Sequence, residues 1–100
     1  MLKLSGEALK SDKELVDNNK LNQIYRFINN LKKDNEVSIV IGGGNFFRGR
    51  NHLEMNKVDA DTIGMLSSIK NGLYIKDYFN RNKLNTIIRV PFNFNELIDI

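Results

Sequence analysis

The sequence predicts an α/β fold built on a parallel sheet, and three features predict it. Two short strand-like runs, the alternating residues 1–5 and the mostly apolar residues 37–41, flank a stretch in which Leu21, Ile24, Tyr25, Ile28 and Leu31 recur at helical spacing. The second run is mostly β-branched, as suits a strand covered on both faces in a parallel sheet. It stops at Gly42-Gly43-Gly44, and open α/β sheets bind ligands at such strand ends.

In chain order, Leu2 and Leu4 fall on one face of the first strand and Lys3 on the other, and Gly6 ends it. Residues 7–19 are polar and aperiodic, which predicts a loop with at most a helical turn at 13–16. Asp17 or Asn18 suits the N-cap of the following helix, Lys32 and Lys33 suit its C-terminal dipole, and Asp34-Asn35 breaks it. Strand, helix, strand in this order implies a right-handed unit with parallel pairing. Residues 45–57 read as a loop or short helix with Arg48, Arg50 and the sole histidine, His52, a surface residue on this reading. A long helix is expected from 59–61 to about Asn80, with Ile63, Leu66, Ile69 and Leu73 as its apolar positions. Gly64, Ser67, Ser68 and Gly72 lie among them, small enough for close approach by another element. Thr86, Ile87, Ile88 and Val90 predict a third strand stopped by Pro91, and residues 93–100 the opening of a further element.

Composition narrows the function. The chain has 100 residues, 41% hydrophobic and 27% charged, a mean hydropathy of −0.38 and no cysteine. Those values describe an ordinary globular sequence without a disulfide framework or thiolate metal site. No segment is long and apolar enough to span a bilayer and no secretory signal opens the chain, so a cytoplasmic protein is expected. The net charge of +3 is mild, and no basic cluster interleaved with aromatics appears. Phosphorylated small molecules fit this balance better than nucleic acid.

The glycine turn carries the chemical signal. Three glycines allow φ > 0 and bring main-chain N–H groups close to an oxyanion, and Arg48 adds a fixed cation nearby. The turn matches neither the G-x-G-x-x-G fingerprint nor a P-loop. From the residues alone, a plain turn and an anion cradle both remain open.

Lys3-Leu4-Ser5-Gly6-Glu7-Ala8-Leu9, followed after a helix by Ile41-Gly42-Gly43-Gly44-Asn45-Phe46-Phe47-Arg48-Gly49, closely resembles the N-terminal half of the bacterial uridylate kinases (UMP kinases), within the amino acid kinase family. Agreement continues at Met55-Asn56-Lys57-Val58, Asp61, Gly64-Met65-Leu66, Asn71-Gly72-Leu73 and Asp77. The resemblance implies a three-layer αβα fold with a mainly parallel sheet, incomplete in this chain. It also implies transfer of the ATP γ-phosphoryl group to UMP, giving UDP, with Mg²⁺ accompanying ATP. By the same resemblance Lys3 and Arg48 are catalytic, and Lys3, Leu4, Ser5, Gly6, Gly44 and Arg48 lie on the ATP side. Gly43 and Asp61 hold UMP, no metal ligand is identified, and the full-length protein forms a hexamer.

Two departures shape these expectations. Family members carry a glycine- and phenylalanine-containing segment before the first helix, associated with activation by GTP. Here Lys10-Ser11-Asp12-Lys13-Glu14-Leu15 stands in its place, so that control is not expected. The resemblance also covers less than half of such a kinase, which makes residues 1–100 the N-terminal portion of a single kinase domain, inactive alone. The competing reading is a phosphate-binding module without catalysis, or an inert remnant of a truncated gene.

Overall fold

The computed structural model describes residues 1–90. Strand β1 (Leu2–Leu4) leads through a 3₁₀ turn, Gly6–Leu9, to helix α1 (Asn18–Leu31). Strand β2 (Ile39–Ile41) follows, then a second 3₁₀ turn, Gly49–Asn51, and helix α2 (Lys57–Arg81).

The strands pair in parallel with Leu2 opposite Ile39, Lys3 opposite Val40 and Leu4 opposite Ile41. Leu2 N–H donating to Ser38 O at 2.8 Å and Gly42 N–H donating to Leu4 O at 3.1 Å extend the ladder at both ends. Because side chains alternate along a strand, Leu2, Ile39 and Ile41 pack on the core while Lys3 and Val40 share the opposite face. Val40 is 50% exposed. The expectation of a strand covered on both faces is therefore corrected: in the described residues one face is covered, and the strand is shorter than residues 37–41.

Helix α1 forms as its periodicity predicts. Asp17 Oδ1 accepts from the amides of Asn19 at 2.7 Å and Lys20 at 3.2 Å, and Leu21 and Ile28 bury the stripe. The core consists of Leu9, Leu21, Ile28, Ile75, Phe79 and Leu84. Each such buried side chain contributes about 1.5–3 kcal/mol. Tyr25 ties the helices together, meeting Tyr78 and Phe79 edge-on and donating its hydroxyl to Asn82 O at 3.0 Å. Leu9 joins this core because residues 6–9 coil into a 3₁₀ turn, where a plain loop was expected.

Helix α2 starts earlier than expected, at Lys57, because Asn56 Oδ1 accepts from Val58 N–H at 2.8 Å and so caps it. Its buried line is Ser67, Asn71, Ile75 and Phe79, four residues apart. The predicted apolar positions Ile63, Leu66 and Leu73 are 37%, 37% and 49% exposed, so the inward face is not the one that hydrophobicity marks. Residues 86–90 have no ladder partner among the described residues. Thr86 is instead tied to the end of α2, its N–H donating to Asn80 Oδ1 at 2.7 Å. The predicted third strand is thus not formed here, and the expectations for Pro91 and residues 93–100 lie outside the described residues. Both helices share one core with one face of the strand pair, which supplies one helix layer and part of the sheet layer of an αβα arrangement.

Candidate functional site

Parallel pairing brings the C-terminal ends of β1 and β2 side by side, so Ser5-Gly6 meets Gly42-Gly43-Gly44. At Gly6 and Gly43 the approach is too close for any side chain. A Cβ on Gly6 would lie 2.6 Å from Gly44 N and 2.7 Å from Gly42 O, and one on Gly43 would lie 2.5 Å from the Ser67 Cβ. No glycine among the described residues has positive φ. Close approach, and not a left-handed backbone, is what these positions require, which corrects the first half of the turn argument.

An open cleft of about 400 Å³ forms there, lined by Ser5, Gly6, Gly42, Gly43, Gly44, Phe47, Arg48 and Gly49. Gly43 O accepts from the amides of Phe46 and Phe47, both at 3.0 Å, and so closes the turn. Among the described residues the amides of Gly43, Gly44 and Asn45 donate to no protein acceptor. Successive free N–H groups in a turn make a concavity that suits an anion. The Arg48 guanidinium crosses Gly44, where a Cβ would come within 2.6 Å of its Nη2. Its Nη2 pairs with Glu7 Oε1 at 3.0 Å, while its Nε is buried with no hydrogen-bond partner. An unsatisfied buried donor on a cation beside unpaired amides is the arrangement that a phosphate oxygen would complete.

Of the predicted residues, Ser5, Gly6, Gly43, Gly44 and Arg48 line this cleft. Leu4 lies just before it on β1. Lys3 stands on the open face of the sheet and is exposed. Asp61 does not line the cleft; it sits on the second turn of α2, paired with Lys57 Nζ at 3.0 Å and 63% exposed. His52 is half-buried, stacked on Phe47 with ring centroids 4.9 Å apart and its Nδ1 3.7 Å from Glu54 Oε1. It therefore has a carboxylate neighbour that the sequence reading did not credit.

Sequence reasoning missed Glu7, Asn45 and Asn71. Asn45 and Asn71 form a buried amide pair beneath the turn, and a buried asparagine carries no periodic signal that would single it out. Glu7 lies within the quoted motif, yet nothing in its spacing pairs it with Arg48. A second, larger hollow of about 530 Å³ lies along α2, lined by Leu73, Lys76, Asp77, Asn80 and Arg81. It is formed by one helix and offers no turn amides, so the glycine cleft is the stronger candidate despite its smaller size. Among the described residues no three His, Asp or Glu side chains come together as a metal site, and no helix is long and apolar enough to cross a membrane.

Comparison with known proteins agrees with this geometry. The sequence profile of the amino acid kinase family matches residues 1–95. The uridylate kinase of Thermosipho melanesiensis is 47% identical over 92 residues, covering 88% of this chain and 39% of its own length. That of Wigglesworthia glossinidia brevipalpis is 44% identical over 100 residues, covering 95% and 41%. In structure, the chain is similar to the UMP kinase of Ureaplasma parvum, with a TM-score of 0.85 at 36% identity over 97% of this chain and 44% of that one. The UMP kinase of Bacillus anthracis gives 0.77 at 35% identity over 96% and 41%. The chain thus spans about two fifths of the length of these relatives. With the profile matched across nearly all of it, and the structural similarity extending over nearly all of it at these identities, the chain belongs to the amino acid kinase family.

Proposed function

We propose that the chain forms the glycine-turn part of a nucleoside monophosphate kinase that moves the γ-phosphoryl group of ATP onto UMP, giving UDP. One observation carries the reading: Gly43 and Gly44, whose amides have no protein acceptor among the described residues, line one open cleft with Arg48, whose buried Nε has no hydrogen-bond partner. The names of the relatives support the choice of UMP as acceptor.

Phosphoryl transfer asks little covalent chemistry of the protein. It must align two mutually repelling phosphate groups and offset the charge spread over the transferring oxygens. The amides of Gly43, Gly44 and Asn45 are fixed donors for that task, and Arg48 supplies a forked cation beside them. Ser5, Gly6, Gly44 and Arg48 are assigned to the ATP side with Leu4, and Gly43 to the UMP side. Lys3, one strand residue before Leu4, is assigned to the transferring phosphoryl, where an ammonium offsets charge in the transition state. Asp61 is an acceptor only and repels phosphate, so its assigned partner is the pair of ribose hydroxyls of UMP. Mg²⁺ enters as part of the ATP substrate, and no protein ligand is assigned to it. We further assign the full protein to the cytoplasm as a homo-oligomer, a hexamer by the family resemblance. The residues 1–100 alone would not turn over, because the open sheet face and the exposed Ile63, Leu66 and Leu73 leave them without the partners that complete such a domain.

The test is a chimera in which residues 1–90 replace the matching segment of the Ureaplasma parvum UMP kinase. With ATP and UMP it should form UDP, and faster than it phosphorylates CMP or AMP. A folded chimera that binds phosphate at the glycine turn yet forms no UDP would contradict the kinase reading and favour a non-enzymatic phosphate-binding module.

A further inference from the structure

The two asparagines beneath the turn form a closed arrangement. Asn71 lies on α2 and is 0% exposed; Asn45 ends the glycine turn and is 6% exposed. Asn71 Nδ2 donates to Asn45 Oδ1 at 2.7 Å, and Asn45 Nδ2 donates back to Asn71 Oδ1 at 3.1 Å. Each amide has one N–H left over. That of Asn71 donates to Gly42 O at 2.8 Å and that of Asn45 to Leu15 O at 2.8 Å.

All four side-chain N–H groups are therefore used, and no buried amide proton lacks an acceptor. Only a carboxamide at both positions does this. A carboxylate at residue 71 would set an oxygen against Gly42 O and Asn45 Oδ1, and an apolar side chain would leave both without their donor. Asn71 also sits one helical turn after Ser67, against which Gly43 is packed. Helix α2 thus grips the turn at its first residue through Asn71, at its second through Ser67 and at Asn45 through the amide pair. This explains why α2 buries two polar residues where hydrophobicity would place a leucine.

We infer that Asn71 is a positioning residue: acting through Gly42 O and Asn45, it fixes the turn so that the amides of Gly43 and Gly44 hold one orientation toward a bound phosphate. The inference rests on the proposed anion-binding role of the turn. Asn71 does not itself line the cleft; it reaches it only through Gly42 O. Its effect is on orientation, and small displacements of aligned donors cost about 10- to 100-fold in such sites.

The test uses the Ureaplasma parvum chimera with glycine-selective ¹⁵N labelling, inorganic phosphate as the probe, and the variants Asn71→Ala, Asn71→Asp and, as a control on the same helix, Leu73→Ala. In the parent, phosphate should shift the Gly43 and Gly44 amide resonances. Asn71→Ala should weaken that response about tenfold or more, while thermal unfolding stays cooperative and Leu73→Ala responds like the parent. Asn71→Asp should also respond weakly at neutral pH and partly recover as pH falls, because the protonated acid regains one donor toward Gly42 O or Asn45 Oδ1. A phosphate response unchanged in Asn71→Ala, no recovery of Asn71→Asp in acid, or no response at Gly43 and Gly44 in the parent would each overturn the inference. If the parent responds to phosphate but makes no UDP, the kinase reading fails while the positioning role stands.

Discussion

Arg48 Nη2 and Glu7 Oε1 lie 3.0 Å apart, so a carboxylate holds one edge of the cation that the glycine cleft would offer to phosphate. The pair is partly exposed, with side chains 28% and 56% accessible, and pairs of that kind are worth at most about 1 kcal/mol. Glu7 is thus a weak competitor for the guanidinium. Glu7→Gln should strengthen phosphate binding by up to about fivefold, measured by titration of the Ureaplasma parvum chimera at low ionic strength. The advantage should shrink as salt is added. Weaker binding in Glu7→Gln would mean that Glu7 holds Arg48 in place.

Two glycines should respond very differently to a single methyl group. At Gly43 a Cβ would lie 2.5 Å from the Ser67 Cβ and 2.9 Å from α2 backbone atoms, whereas at Gly49 nothing lies within 4 Å. Gly43→Ala should lower stability by about 1–3 kcal/mol, the ordinary penalty of overpacking, and Gly49→Ala should be near neutral. Ser67→Gly should relieve Gly43→Ala only in part, since the backbone contacts remain. Thermal unfolding of the three variants decides it; equal midpoints for Gly43→Ala and Gly49→Ala would remove the close-packing argument.

How much of this was legible in the sequence depends on which surface each element packs against. Helix α1 was readable because Leu21 and Ile28 face an apolar core and Asp17 caps in the ordinary way. The same logic misplaced the buried face of α2, whose middle packs on a polar glycine turn: Ser67 and Asn71 go inward and Ile63, Leu66 and Leu73 stay exposed. Ser5, Gly6, Gly43, Gly44 and Arg48 come together at one cleft because the motif residues stand at adjacent strand ends. Glu7, Asn45 and Asn71 were not, because their contacts join residues 26 to 41 positions apart. Thr86 to Val90 has β-branched composition, but composition does not supply a pairing partner.

Asp17 gives the fold a readable dependence on acid. Ser11, through its side chain, and then the backbone amides of Lys20 and Asn19 hold its carboxyl below the ordinary value. A group whose pKa is lower in the folded state stabilises above its unfolded pKa, and that contribution disappears as pH falls through the folded value. The loss should therefore begin below about pH 4. Asp17→Asn keeps a capping oxygen without the charge, so it should be less stable than the parent at neutral pH and converge with it in acid. Parallel curves of unfolding midpoint against pH would show that the ionised carboxylate contributes nothing.

Asp61 tests the proposed division between the two nucleotides. Its only ion pair among the described residues is with Lys57, four positions before it on an exposed helix face, and such pairs contribute about 0.3–0.5 kcal/mol. Asp61→Asn should leave the thermal midpoint nearly unchanged but weaken UMP much more than ATP, because a carboxylate holding two ribose hydroxyls loses an acceptor position. Titrating each nucleotide against the variant is the check. Equal effects on UMP and ATP would reduce Asp61 to a helix-surface residue.

Initial rates of UDP formation by Arg48→Ala and Lys3→Ala variants of the Ureaplasma parvum chimera test most directly whether the glycine cleft is a phosphoryl-transfer site. On the proposed reading each substitution removes a cation directed at charge in the transition state, and losses of about 10²-fold or more in kcat/KM are expected. Thermal unfolding should remain cooperative in both, since Lys3 is exposed and the Arg48–Glu7 pair is weak. Turnover at the parent rate in Arg48→Ala would contradict the assignment of the cleft.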